Sequence, residues 1–153
     1  MKKYISFRSD LIRSYIFMFS LGAVIYPCFE ILYRGYTHFT MVILGGISAV
    51  FIHRINRSLT DASIPIKALL CAFAITALEF VFGVIFNVFL KMKIWDYSSM
   101  AIHVLGQISP VFSFIWFVLS LVGIYISTLV DRHITPCLNG KMFFYEGRKD
   151  GKT

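Results

Sequence analysis

Charge is what this sequence has least of. Asp, Glu, Lys and Arg make up 15% of 153 residues, and only eight of them are acidic. With 58% hydrophobic residues and a mean hydropathy of +0.73, the chain carries more apolar surface than a soluble core of this size absorbs. Lipid is the solvent it suits. Cysteine is sparse as well: Cys28, Cys71 and Cys137 form no CxxC pair and no Cys/His metal spacing, so no metal site is expected. They read as small apolar residues. Catalytic and nucleotide signatures are missing, with neither a nucleophile elbow nor an HExxH. Gly151-Lys152-Thr153 mimics the end of a phosphate loop, but Glu146 stands where its first glycine belongs and no strand precedes it. The net charge of +7 does not point to nucleic acid, because the basic residues are split into short segments between apolar runs.

Those runs predict an all-α, polytopic membrane protein of four transmembrane helices in a bundle. Residues 1–13 form a basic cytoplasmic segment, 14–130 the transmembrane domain and 131–153 a cytoplasmic tail. The first run, Ser14 to about Tyr33, has membrane-spanning length and no A-x-A site after it, which reads as an uncleaved anchor. Pro27 is expected to kink it. A tight YRGYTH connection leads to a second helix, Thr37 to His53, where Gly45, Gly46, Ser48 and Ala49 allow a close helix approach. The third helix runs from Ile66 to about Leu90. A short interfacial or re-entrant helix is expected over Met100 to Gln107, capped by Ser98 or Ser99. The fourth starts at Pro110 and reaches about Val130, with Ser113, Ser120 and Ser127 in a stripe at seven-residue spacing.

Twelve of the fifteen Lys and Arg fall in the N-terminal segment, the second connection with Lys67, and the tail; only Arg34, Lys91 and Lys93 fall on the other side. This places both termini in the cytoplasm and the protein in the plasma membrane. On that topology Cys28 lies toward the outer face while Cys71 and Cys137 lie toward the inner one, which argues against a bridge from Cys28 to either.

Polar chemistry concentrates between Glu79 and Gln107. Glu79 sits near the middle of the third run, where a carboxylate is costly and usually faces the bundle interior. Asn87 follows on nearly the same side. Glu30 and Arg34 are spaced i, i+4 in the favourable order for an ion pair. With His38 and Asp96 they outline an external pocket for a zwitterionic or anionic ligand, Arg34 being its anion-binding group. Trp95 and Tyr97 suit an interfacial aromatic belt, while Asp96 between them needs a partner such as Lys93, Arg34 or a backbone N–H. Gln107, beside Gly106, lines the same cavity or caps freed backbone groups. Glu79 is open to two readings, a proton- or cation-coupled binding residue or a packing residue held by a neighbouring helix.

Five motifs in order resemble one family: Glu30 through His38 (EILYRGYTH), Gly45-Gly46, Glu79 with Asn87, Trp95-Asp96-Tyr97-Ser98, and Gly106-Gln107. The chain from about Ser20 to Leu129 is similar to a bacterial, largely Firmicutes group of small membrane proteins described as putative ABC-transporter type IV permeases. His103 and Ser109 depart from that pattern, which has an asparagine and a cysteine nearby. The resemblance implies a transport-associated role. Since no ATPase domain is present, ATP-driven work implies a separate ATPase or other membrane subunit, and four spans imply a homo-oligomer or larger assembly.

The reading that follows is a permease-like subunit that binds a polar or charged small solute in an outward-facing cavity. Its ligand-binding residues are Glu30, Arg34, His38, Glu79, Asn87, Trp95, Asp96, Tyr97 and Gln107, with no cofactor. The alternatives are a membrane-embedded enzyme acting on a lipid or envelope precursor, using His38 or His103 with Asp96 and a serine, and a structural or regulatory subunit.

Overall fold

The computed structural model describes residues 2–134, with side chains from Ser9 onward. The expectations for Cys137 and for most of the tail, 131–153, lie outside the described residues. Four helices follow one another: α1 Lys2–Arg34, α2 Phe39–Ser58, α3 Ile64–Phe82 continued by a π-helical segment Gly83–Phe89, and α4 Pro110–Ile134. Each is long and apolar enough to cross a membrane. The turn at 35–38 and the connection at 90–109 lie at one end, the hairpin end. The turn at 59–63 and the far end of α4 lie at the other.

Local chemistry explains the boundaries. Helix α1 runs uninterrupted through Pro27, as suits a segment in which a broken helix would leave peptide groups without water. It closes at Gly35, whose φ of +79° is easy only for glycine and whose N–H reaches Ile31 O at 2.8 Å. Extended His38 starts α2 and accepts the Thr40 amide on its ring. Pro65 opens α3, where its missing N–H costs nothing. Beyond Phe89, Lys91 and Lys93 take positive φ and stop the helix.

The packing is inside-out relative to a soluble protein. Ser14, Thr40, His53, Glu79, Ser120 and Ser127 are buried, while Ile16, Leu69, Phe73, Phe114 and Val122 stand exposed around the bundle. Small residues bring helices together. A Cβ on Gly22 of α1 would strike Gly45 O of α2, and one on Gly46 would strike the Phe19 ring. Two apolar clusters fill the interior. One joins Ile52, Cys71, Ile75, Trp116 and Ile124; the other, toward the hairpin end, joins Met41, Leu44, Ile94 and Trp95. Along the serine stripe, Ser113 accepts from Thr76 at 3.2 Å, and Ser120 and Ser127 are wholly buried.

One expectation is corrected. No helix forms over Met100 to Gln107. The segment is a set of turns with an isolated bridge between Val104 and Ile108. Leu105 and Gly106 both adopt positive φ, and the His103 ring takes the Gly106 N–H at 3.1 Å, so the backbone is committed to turns.

Candidate functional site

Glu79 lies on α3 with its side chain turned into the bundle, 2% exposed. Its two oxygens are held by donors from different elements. Tyr97 Oη, in the connection before α4, donates to Oε1 at 3.1 Å, and Trp116 Nε1 on α4 donates to Oε2 at 2.9 Å. Tyr26 of α1 stacks on Trp116 at 5.3 Å between centroids, and Tyr97 stacks on Phe112 at 4.5 Å. Burial, then the charge of Glu79 and the hydrogen bond to it, push the Tyr97 hydroxyl well above the usual phenol range. It therefore stays a donor at any physiological pH. Among the described residues no Lys or Arg pairs with Glu79.

Toward the hairpin end, Arg34 pairs with Glu30 one turn earlier on α1. Arg34 Nη1 also donates to Ile94 O at 2.8 Å, and Thr37 Oγ1 donates to the other Glu30 oxygen at 2.6 Å. The guanidinium lies over the Tyr36 ring at 4.8 Å. Arg34 Nε is buried with no partner.

The π-helical segment places Asn87 against the connection. Its Nδ2 donates to Trp95 O at 2.9 Å and to Gln107 Oε1 at 2.8 Å, and its Oδ1 accepts the Ile94 amide at 2.7 Å. Trp95 Nε1 donates to Gln107 O at 3.0 Å, and Gly83 leaves the room that Gln107 fills. Here a π-turn, rare and frequent at functional positions, serves to pin a loop to a span.

The nine predicted residues thus fall into three connected groups and two outliers. Glu30 joins Arg34; Glu79 joins Tyr97; Asn87 joins Gln107 and the Trp95 carbonyl. Trp95 is buried in the second apolar cluster rather than standing in an exposed belt. His38 serves as the cap of α2. Asp96 is exposed, and its carboxylate accepts the Ser98 amide at 2.8 Å, which with the Ser98 side chain holds it below the usual aspartate range. Neither His38 nor His103 hydrogen-bonds a serine hydroxyl, and no three His, Cys, Asp or Glu gather, among the described residues.

Thr37, Trp116 and Tyr26 belong to the site and were not legible in the sequence. Nor was a second polar cluster at the opposite end. There His53 bridges Ser127 at 2.8 Å and Ser14 at 3.1 Å, Asn56 donates to Ser127 and Thr128, and Arg57 pairs with Asp131. Its signal was available in the serine stripe of α4 combined with the polar spacing of His53, Asn56 and Arg57 on α2.

A family model described as "Putative ABC-transporter type IV" matches residues 15–143, most of the chain. No curated protein and no solved structure matches it.

Proposed function

The chain belongs to the family described as "Putative ABC-transporter type IV", a transport-associated multi-pass membrane protein, and we propose that it is a permease-like subunit whose Glu79 engages a polar or cationic solute. A single observation carries this reading. A carboxylate buried in a membrane span holds two neutral donors and no cation among the described residues. Placing such a charge in the bilayer costs about 2.5–3.5 kcal/mol even on lenient insertion scales, a cost that a packing contact alone does not require. A proton or a cationic group arriving from the hairpin end meets this carboxyl group, which has no cationic partner among the described residues, after displacing Tyr97, which sits on a connection and not in a span. Arg34, with its unpartnered Nε, is the complementary group for an anionic moiety.

In this reading the hairpin end faces outward and both termini face the cytoplasm of a plasma-membrane protein. Four spans make only part of a pathway, so further copies or another membrane subunit complete it, and a separate ATPase supplies any ATP-driven step.

A non-catalytic structural role is favoured by a different observation: Asn87 and Gln107 make their hydrogen bonds inside the chain. Small molecules co-purifying with wild type and with Glu79→Gln separate the two readings. The transport reading expects a solute that is lost with Glu79→Gln while the melting temperature changes by only a few degrees. Identical small molecules from both proteins, with a large drop in melting temperature, would sink it.

A further inference from the structure

At the end opposite the hairpins, a cavity of about 320 Å³ opens between α2, α3 and α4. Lys67, Arg132, Asn56 and Thr128 supply its polar wall, Leu121 and Leu129 part of its apolar one, and among the described residues no acidic one lines it. Lys67 is the telling member. It is only 8% exposed, and its ammonium reaches two neutral acceptors on one residue, Asn56 Oδ1 at 3.2 Å and Asn56 O at 3.5 Å. Among the described residues no carboxylate pairs with Lys67 or with Arg132.

Its position sharpens the imbalance. Lys67 stands in the first turn of α3, where the helix dipole is positive and a cation is disfavoured. That turn has no acidic residue, and Ser63 makes no side-chain cap there. Asp131, next to Arg132 in the chain, is engaged by Arg57. A buried ammonium, a second cation and an uncapped helix start therefore meet at one cavity with nothing negative in its wall among the described residues. Such an arrangement is stable when an anion completes it.

We infer that this cavity is a binding site for the phosphodiester headgroup of an anionic phospholipid. Phosphate is the shared chemistry; the lipid source is favoured by place and shape. The cavity is lined by Ile64 and Lys67, at the start of the apolar span Ile64–Phe89, and the end of a span is where a membrane's polar surface meets its hydrocarbon. Its volume is at the small end for a ligand pocket, enough for a headgroup but not for acyl chains. Leu121 and Leu129 continue the wall along α4, where acyl chains lie naturally. Basic pockets between spans are known to select anionic headgroups in this way. The site is independent of Glu79 and of which way the protein is inserted.

The test uses native mass spectrometry of the full-length protein released from a neutral detergent, titrated with phosphatidylglycerol, with phosphatidylcholine and with inorganic phosphate. Wild type is expected to retain phosphatidylglycerol and shed phosphatidylcholine. Arg132→Gln is expected to weaken phosphatidylglycerol binding about fivefold, the effect of one surface cation, and Lys67→Gln with Arg132→Gln to abolish it. Arg132→Lys restores most of it. Equal retention of the two lipids by wild type, or unchanged phosphatidylglycerol binding in Arg132→Gln, overturns the proposal. So does full displacement of the lipid by inorganic phosphate, which would assign the cavity to a soluble anion. Because Arg132 is exposed near the end of α4, Arg132→Gln decides the matter even if the double variant does not fold.

Discussion

Glu79 depends on Tyr97 and Trp116 for its two hydrogen bonds, so each of those residues has a measurable weight. Tyr97→Phe keeps the ring on Phe112 but leaves Oε1 buried without a donor, a loss of about 1–3 kcal/mol. Thermal unfolding in detergent is expected to show that loss when Tyr97→Phe is made in the wild type, and no further loss when it is added to Glu79→Leu. Asp96 gives a prediction in pH. Its pKa is lowered in the folded chain by the Ser98 amide, so its contribution is full above the ordinary aspartate value and fades as pH falls through the lower folded one. Limited proteolysis of the 90–109 connection should therefore be flat from pH 7 down to about 4 and rise only below that. Asp96→Ala should raise it at neutral pH. Glu79 was legible in the sequence because a lone carboxylate in an apolar run is too costly to sit there idle. Trp116 was not, because an aromatic residue between Ile115 and Phe117 carries no mark of what its N–H will meet.

Helix pairs show the same division. Gly45 and Gly46 announced a close approach, since small residues in succession have few other uses in a span. Gly22, their counterpart on α1, did not stand out, although a Cβ there meets the Gly45 carbonyl and the Ala49 methyl. Gly22→Ala should drive α1 away from α2 and lower stability by about 1–3 kcal/mol, read as a fall in melting temperature; Gly35→Ala meets no neighbouring atom and tests backbone strain alone. The connection before α4 was the element least legible. Ser98, Ser99 and the apolar letters after them imitate a capped helix. The competing local bonds from Asp96 and His103 to backbone amides, together with Leu105 and Gly106 at positive φ, decide for turns instead.

For the molecule as a whole, four spans and their order were readable from run length and hydropathy, because lipid leaves a chain few alternatives to helices. What hydropathy could not supply is which faces meet, and so the serine stripe of α4 and the polar spacing on α2 become one cluster around His53 and Ser127 only once the bundle is folded. The distribution of Lys and Arg predicts the insertion. Ser99 and Asp61 are both exposed, at opposite ends, and each can be replaced by cysteine. In intact cells an impermeant maleimide should label Ser99→Cys and leave Asp61→Cys untouched until the cells are opened; the reverse pattern would invert the orientation.

The widened turn at Gly83–Phe89 holds one residue more than an α-helical turn would. Deleting a single residue there would restore ordinary winding with the flanking helix still in register, and remove the extra residue by which the span reaches its loop. If the residue removed is Asn87 itself, its bonds to Ile94, Trp95 and Gln107 go with it and the loop loses its anchor. One extra amino acid in the winding thus separates a span that grips its loop from a plain greasy rod.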